Sequence, residues 1–165
     1  MRVSAKVDYA LRAMSQLAAW TSGGPVAATR LADEQAIPLK FLHGVLADLK
    51  RARLVRSTRG PDGGYELARP AGEITVADVF RAVDGPLVTV RDTALTELEY
   101  NGPAETLRDV WMAARASLRY VFERVTLADL VAGELPPTAL ELADAYKADL
   151  RHHEATAAAP PPLGR

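Results

Sequence analysis

The chain contains no cysteine among its 165 residues. That absence excludes disulfide bonds, thiolate nucleophiles, thiol redox switches and metal centres built on cysteine ligands. Aromatic residues make up only 6% of the chain, and histidine occurs three times. No apolar run is long enough to span a bilayer, and the N-terminus has no apolar signal core. We therefore expect a cytoplasmic protein without a membrane partner.

Charge is unevenly distributed along the chain, although the formal net charge is only −1. Residues 1–60 contain 10 Lys and Arg and 4 Asp and Glu, a net charge of +6, whereas residues 61–165 contain 10 and 17, a net charge of −7. A basic N-terminal part is the electrostatic footprint expected for phosphate binding. The acidic remainder argues against non-specific coating of nucleic acid by the whole surface.

Residues 38–68 change from a helical period to a strand period. The helical part places leucines three and four residues apart, at Leu39, Leu42, Leu46 and Leu49. A strand is predicted to begin at residues 54–55, with a glycine-rich turn at 59–64 and a partner strand at 65–68. A helix followed directly by a hairpin with a cationic tip predicts a winged helix, which can reach adjacent grooves of DNA. The simpler interpretation is an ordinary amphipathic helix packed on a hairpin.

Two more helices are predicted before this stretch. The first starts after Ser4 as N-cap and runs to about Trp20, and the second covers residues 29–36. Val26 is expected to form a short strand segment between them. A short helix, a turn and a helix with a cationic outer face form the helix-turn-helix pattern. The predicted fold is therefore mainly α with a small β-hairpin wing (α+β), a winged helix-turn-helix domain followed by a long dimerisation helix.

Candidate DNA-binding residues lie on two of these helices. The first turn and a half of the recognition helix carries Leu39, Lys40, Phe41 and His43, and this part of such a helix usually reaches base edges. On the first helix, Lys6 and Tyr9 lie off the buried stripe, near the helix end whose positive dipole suits a phosphate. For Tyr9, the alternative is a packing role.

The predicted wing supplies the remaining candidates. Arg59 starts the tip, and the negative potential of a narrow minor groove favours a guanidinium there. Arg56 is expected to contact phosphate, whereas Arg53 is expected to be solvated. Gly60, Gly63 and Gly64 are expected to allow positive φ and close backbone approach. The DNA-binding set of the wing is completed by Pro61 and Tyr65.

The C-terminal half is expected to pair two subunits. After a helix capped by Thr75 and a loop over residues 87–104, a long helix is predicted over residues 105–124. Its apolar residues repeat at intervals of four and three, which is typical of a heptad seam. A buried helix in a monomer would show the same stripe. With Phe122 beside the seam, the candidate dimerisation residues are Leu107, Trp111, Ala114, Leu118, Val121 and Val125.

Beyond residue 126 the predictions concern helix ends. Thr126 is expected to cap a helix over residues 127–131. Thr138 to Glu141 form a capping-box pattern, which predicts a last helix ending near residue 150. The adjacent His152 and His153 are expected to be solvated rather than to bind metal, and residues 155–165 are expected to be disordered.

Residues 1–14, 39–42 and above all 59–65 (RGPDGGY) resemble the Rrf2 family of bacterial winged-helix transcriptional regulators. The resemblance extends over roughly residues 1–133. It implies a DNA-binding domain at 1–85, a loop at the family's sensor position at 86–104, and a dimerisation helix with a short following helix at 105–133. An extension at 134–152 and a tail at 153–165 lie beyond it.

The sensor-position loop departs from the family pattern. Members that bind an iron–sulfur cluster carry three cysteines there, and this chain has none. Glu97, Glu99 and Glu105 are too hard and too loosely spaced to replace thiolates, so we predict no cofactor. The recognition helix also departs, because His43 and Gly44 stand where better-known members have a Glu-Gln type pair. A different target sequence is therefore expected.

The predicted function is a homodimeric, sequence-specific regulator, by resemblance a repressor, that binds an inverted repeat in double-stranded DNA. Its control would come from a small ligand near Trp111, Tyr120 and Phe122, from a protein co-regulator, or from neither. The alternative is a winged-helix module that binds protein instead of DNA. We expect no enzyme and no catalytic residues, because the chain has no phosphate loop and no clustered histidines and carboxylates.

Overall fold

Helices alternate with loops along the chain except at one β-hairpin. The computed structural model describes residues 3–20, 23–91 and 93–158, with side chains as far as residue 150. The hairpin pairs β1 (Val55–Thr58) with β2 (Gly64–Leu67) in antiparallel fashion. This architecture confirms the predicted fold class. The helices are α1 (Ala5–Ala19), α2 (Ala28–Gln35), α3 (Leu39–Arg51), α4 (Val76–Asp84), α5 (Leu107–Phe122), α6 (Leu127–Ala132) and α7 (Pro137–Ala158).

The hydrophobic core lies where α1, α2, α3, α4 and α6 meet. Each of these helices carries apolar residues three or four positions apart, so one face of each can be buried. The hairpin adds Val55 to the same core, next to Leu54 in the preceding turn. Because one core joins the helix-turn-helix to the wing, the two are held as one body. The largest fully buried side chains of this core include Met14, Leu31, Leu42, Leu46, Leu49, Ile74 and Leu127.

Side-chain caps begin three of the helices, as the sequence predicted. Ser4 Oγ accepts a hydrogen bond from the backbone N–H of Val7 at 3.2 Å. Thr75 and Thr126 each form a capping box, with Asp78 and Asp129 respectively. The hydrogen bonds that Thr126 donates hold the pKa of Asp129 below its usual range. These caps satisfy N–H groups that the helix itself leaves unpaired.

The start of the second helix is hydrogen-bonded to the wing. The backbone N–H of Val26 donates to Tyr65 O at 2.8 Å, and the N–H of Tyr65 donates to Val26 O at 2.8 Å. Val26 thus forms an isolated bridge to β2, which confirms the predicted strand segment there. The approach is close, because a Cβ on Gly64 would lie 2.3 Å from Val26 O. Position 64 therefore requires glycine because a side chain would not fit, and not because its backbone has a positive φ.

The last helix differs from its prediction at both ends. It begins at Pro137, so Thr138 lies inside it and is not the N-cap. Proline is well suited to a first helical position, because its fixed φ is helical and its missing N–H would be unpaired there anyway. The helix also continues to Ala158, so the predicted tail is helical over its first residues. Residues 139–158 contain neither Gly nor Pro and are rich in alanine, which explains the extension.

Part of the predicted tail, residues 159–165, lies outside the described residues, as do the side chains of His152 and His153. The chain divides into two compact units, Met1–Glu134 and Leu135–Arg165. The first unit holds the hairpin and six helices, and the second consists of α7 with its flanking residues. Among the described residues, no helix combines the length and the apolar character needed to cross a membrane.

Contacts around Glu123 attach α5 to α4. Arg81 of α4 and Arg119 of α5 both donate hydrogen bonds to its carboxylate, Arg119 Nε at 2.9 Å. These two guanidinium groups lower the pKa of Glu123 to about 2. Beside them, the rings of Phe80 and Phe122 lie 6.1 Å apart between centroids, tilted by 35°. The junction therefore combines one charged cluster with one aromatic contact.

Replacing Gly64 with alanine should destabilise the protein by about 1–3 kcal/mol, the usual cost of overpacking. The reason is the backbone of Val26, which lies where the new Cβ would go and cannot move without breaking the bridge to Tyr65. The matched control is Gly44→Ala, because a Cβ at Gly44 meets nothing within 4 Å. Gly44 lies inside α3, so alanine there should stabilise by about 0.5–1 kcal/mol.

Chemical denaturation of both variants measures this difference directly. Equal midpoints for Gly64→Ala and the parent chain would show that the α2 segment is not held against the wing in solution.

The lowered pKa of Glu123 predicts a pH-dependent contribution to stability. The carboxylate is stabilised in the folded chain, so its contribution is present above the unfolded value of 4.5 and is lost as pH falls toward about 2. We expect Glu123→Gln to unfold at lower urea concentration than the parent chain at pH 6. The difference in urea midpoint between Glu123→Gln and the parent chain should shrink steadily as the pH falls from 4.5 to about 2. A gap that stays constant down to the lower pKa would contradict the charged junction.

Candidate DNA-binding interface

The two faces of α3 differ in burial. Leu42, Val45, Leu46 and Leu49 are buried against the body. The opposite face is open to solvent over its first turns, which leaves side chains free to meet a ligand. The exposed residues include every candidate predicted on this helix: Leu39, Lys40, Phe41 and His43, together with Gly44.

Tyr9 of α1 lies beside this exposed face. Its ring meets that of Phe41 edge to face, with centroids 5.4 Å apart. On its other side, the guanidinium carbon of Arg12 lies 5.5 Å from the Tyr9 ring centroid. Tyr9 is half-buried. The structure therefore brings Tyr9 to the recognition helix, where its ring supports Phe41.

Lys6 is engaged elsewhere. Its ammonium donates to the backbone carbonyl of Val83 at 2.7 Å and forms an ion pair with Asp48 Oδ2 at 2.6 Å. Lys6 and Arg51 together lower the pKa of Asp48. Because this ammonium ties α1 to both α3 and α4, a contact between Lys6 and DNA would require it to leave or share these partners.

The N-terminal end of α1 is also unsuited to phosphate. Ser4 Oγ, which caps the helix, donates to Asp84 Oδ2 at 2.7 Å. The Asp84 carboxylate therefore lies at that helix end, and its negative charge would repel a phosphate. The positive helix dipole was expected to favour a phosphate at this end. A carboxylate of α4 already lies there and disfavours a second negative group.

The tip of the wing projects into solvent. The loop between β1 and β2 exposes four residues, Arg59, Gly60, Pro61 and Asp62. Gly60 has a φ of +116°, whereas Gly63 and Gly64 do not have positive φ. A Cβ on Gly63 would lie 2.4 Å from Thr58 O. Of the three glycines, one is therefore needed for its backbone angle and two for space.

Arg56 lies on the exposed face of β1 opposite Glu66 of β2. Their side chains form an ion pair with an Nε to Oε1 distance of 2.8 Å, and this hydrogen bond raises the pKa of Arg56. A phosphate contact would require Arg56 to leave or share this carboxylate. Tyr65 is half-buried between β1 and the Val26 bridge, so its backbone position matters more to the wing than contact by its ring.

A concave surface of about 500 Å³ lies between the start of α2 and the wing. Its lining includes Thr29, Ser57, Arg59 and Gly60. No side chain caps α2, because its N-cap residue is Ala27, so the first N–H groups of the helix are free of side-chain partners. Sequence reasoning missed Thr29 and Ser57; the absence of Ser, Thr, Asn or Asp at the N-cap was the available clue.

The predicted dimerisation residues lie mostly against their own chain. Leu107, Trp111, Leu118, Val121 and Phe122 are half-buried, Val125 is buried and Ala114 is exposed. Trp111 Nε1 donates to the Tyr100 hydroxyl at 3.1 Å. A groove of about 510 Å³ lies beside this face, lined among others by Phe80, Leu87, Trp111, Ala114 and Leu118.

A second, exposed seam lies about 100° around α5 from the predicted one, because each of its members comes one residue before a member of the predicted seam. Its members repeat at intervals of three and four, as in the predicted seam, but three of the five are Ala, Ser or Arg. Sequence reasoning missed it because small residues contribute little to an apolar pattern. We call it the outer seam: Val110, Ala113, Ser117, Tyr120 and Arg124.

The family model and a curated relative that match this chain are both described as transcriptional regulators. Residues 3–133 match the family Rrf2, described as iron-dependent transcriptional regulator. A provisionally assigned HTH-type transcriptional regulator of Mycobacterium tuberculosis, Rv1287, is 55% identical over 148 residues, which cover 90% of this chain and 92% of the relative.

Solved structures of transcriptional regulators also match the fold of this chain. CymR, the global cysteine regulator of B. subtilis, matches with a TM-score of 0.68 at 31% identity, over 80% of this chain and 97% of CymR. IscR of T. potens matches with a TM-score of 0.66 at 32% identity, over 81% of this chain and 88% of IscR. The relatives are transcriptional regulators and not enzymes. The chain with the exposed recognition helix and the arginine-tipped wing belongs to the Rrf2 family of DNA-binding transcriptional regulators.

Proposed function

We propose that this protein is a cytoplasmic, homodimeric repressor that binds an inverted repeat in double-stranded DNA. The observation that supports it best is that α3 and the wing are both exposed while they share one core. Both expose their candidate residues to solvent, and both are fixed to one core. They belong to the part of the chain that carries a net charge of +6 over residues 1–60.

In this proposal, α3 enters the major groove with its N-terminal turns toward the bases. Lys40 and His43 donate hydrogen bonds to base edges or phosphates, because both are exposed and polar. Phe41, held by Tyr9, packs on a thymine methyl group. Gly44 leaves room for the DNA backbone, since its position on the exposed face has no neighbour within 4 Å.

The wing contributes Arg59. At the tip of β1 its guanidinium can enter the neighbouring minor groove, where the potential of narrow sites is most negative. The concave surface between α2 and the wing would bind one phosphate group. The free N–H groups of α2 and the hydroxyl of Thr29 would donate hydrogen bonds to it. These contacts position the protein, and those of α3 select the sequence.

We place the dimer contact on the outer seam of α5. Val110 has 55% of its surface exposed and Tyr120 45%, although both are apolar for most of their length. Small residues between them, Ala113 and Ser117, would allow two α5 helices to approach closely. The half-buried residues predicted from the sequence, Trp111 among them, would then support α5 from behind. The two recognition helices of such a dimer, related by a two-fold axis, would occupy half-sites about 34 Å apart.

An iron–sulfur cluster does not fit this chain, although the family description mentions iron. Clusters are held mainly by cysteine thiolates, and the chain has none. Among the residues that the structure describes, no three His, Asp or Glu side chains are grouped to hold a metal ion. Control by a small ligand is better supported at the groove lined by Phe80, Trp111 and Leu118, whose volume of about 510 Å³ lies in the usual range for such sites.

Selection of bound fragments from genomic DNA, at about 150 mM salt, tests the function as a whole. One inverted repeat with half-sites a helical turn apart would support the proposed repressor and identify its operator. Repression follows if the repeat overlaps a promoter and transcription rises when the gene is deleted. Recovery of no sequence above background, with or without extract metabolites, would favour a winged-helix module that binds protein.

Replacing Arg59 with alanine should weaken operator binding by roughly ten- to a hundredfold and relax base preference beneath the wing, as expected for loss of about 1–3 kcal/mol. Arg59→Lys should restore the charge but only part of the preference, because lysine lacks the planar fork. The matched control is Arg69→Ala, at the other end of the same hairpin, where the ion pair with Asp78 is 3.7 Å long. Equal losses for Arg59→Ala and Arg69→Ala in a competition assay would contradict the wing contact.

A further inference from the structure

The second compact unit carries an apolar surface that its own residues leave uncovered. On α7, Leu142, Tyr146 and Leu150 lie four residues apart and therefore on one face of the helix. Their exposed fractions are 53%, 64% and 43%. We call these three residues the α7 stripe. The unit Leu135–Arg165 contains no second helix or strand, within the residues described, that could bury them.

A single exposed helix of this kind needs a surface to pack on. Isolated helices are marginal in water, and most helical stability in proteins comes from burial of an apolar face. Large exposed apolar patches on a protein usually mark an interaction site. The family match ends at residue 133, but the 148 residues matched to the M. tuberculosis relative must reach into α7. The extension is therefore shared with at least one relative.

We propose that α7 is an arm that packs the α7 stripe on α5 of a second copy of this chain. This inference rests on the homodimer of the proposed function and adds a second contact to it. The receiving surface is the flank of α5 next to the outer seam, where Met112 and Ala116 are exposed. Met112 and Ala116 are four residues apart, so they form an apolar strip parallel to the helix axis.

Charge supports this pairing. Residues 137–150 of α7 contain three carboxylates, Glu141, Asp144 and Asp149, and one lysine, a net charge of −2. Residues 107–122 of α5 contain Arg108, Arg115, Arg119 and one aspartate, a net charge of +2. Glu123 follows directly and pairs with Arg119, so with this pair set aside α5 keeps a net charge of +1. Opposite charge across an interface fixes orientation and excludes wrong partners.

Interface size gives a second argument. The outer seam consists of four residues of α5, which is about 24 Å long at 1.5 Å per residue, and Arg124 just beyond it. Two of the five, Ala113 and Ser117, contribute little area. Stable complexes bury roughly 800 Å² per partner. An arm of large side chains, including a leucine pair and a tyrosine, adds the apolar area that the seam lacks.

Continuity with the seam favours the second copy as the occupant. If two α5 helices cross as antiparallel neighbours, the C-terminal end of one lies beside the N-terminal end of the other. The C-terminal end of one α5 then lies near the partner's Met112, which is in the first half of its helix. Residues 123–134 separate α5 from the second unit, and in the proposal the arm that follows them meets this surface of matching polarity and charge.

Sedimentation of full-length variants tests the arm. Leu142→Glu with Tyr146→Glu puts two charges on the α7 stripe and should raise the dimer dissociation constant by about tenfold or more. The single variant Tyr146→Glu has a matched control in Ala148→Glu, which adds the same charge to an exposed position about 160° around the same helix. The control should dimerise within about twofold of the parent chain, since roughly 0.4 kcal/mol corresponds to that factor.

Disulfide trapping tests which chain receives the arm, and the absence of native cysteine makes it clean. One chain carries Tyr146→Cys, and a second chain of different tag length carries Met112→Cys or Ala116→Cys. Oxidation of the mixture should join chains of different length. A double variant that forms its disulfide only within one chain, or no disulfide between chains in either pair, would overturn the proposal.

The outcomes separate the arm from the dimer itself. A parent chain that stays monomeric at all concentrations would overturn both proposals. A parent dimer whose dissociation constant is unchanged by the glutamates on the α7 stripe would overturn the arm and leave the dimer intact.

Discussion

The pair of backbone hydrogen bonds between Val26 and Tyr65 ties the start of the helix-turn-helix to the wing. It joins the chain just before α2 to the second strand of the wing, at 2.8 Å in both directions. Gly64 is the condition for it, because any side chain would push the two backbones apart. A winged helix reads two grooves at once only if the angle between its helix and its hairpin is fixed. Here that angle depends on main-chain contacts, which do not change with side-chain rotamers.

A charged contact has a similar role on the other side of the recognition helix. The Lys6 ammonium lies between the carbonyl that ends α4 and the carboxylate of Asp48 on α3. With about a third of its side chain exposed, it is neither buried nor free. Removing it would leave Asp48 paired with Arg51 alone and the α4 terminus without this donor. The positive residue that was expected to contact phosphate thus links α1 to the recognition helix and to α4.

Local patterns in the sequence predicted most of the fold. Ser4, Thr75 and Thr126 cap the helices they were expected to cap, because capping depends on residues three positions apart. The exposed side of α3 and the exposed wing tip were predicted in the same way. The engagement of Lys6 could not be predicted, since Asp48 and Val83 are distant in sequence. The outer seam was missed for another reason: three of its five residues are Ala, Ser or Arg, which contribute little to an apolar pattern.

The burial of α5 has a consequence for how the protein behaves in a cell. None of its sixteen residues is fully buried in a single chain. In the proposed dimer, association would cover the apolar side chains of α5 that one chain leaves exposed, so the order of α5 would follow mass action and rise with chain concentration. A regulator made in few copies would spend more time with this helix frayed, and frayed helices are where proteases cut. The amount of the protein and its lifetime would thus be coupled through a single helix.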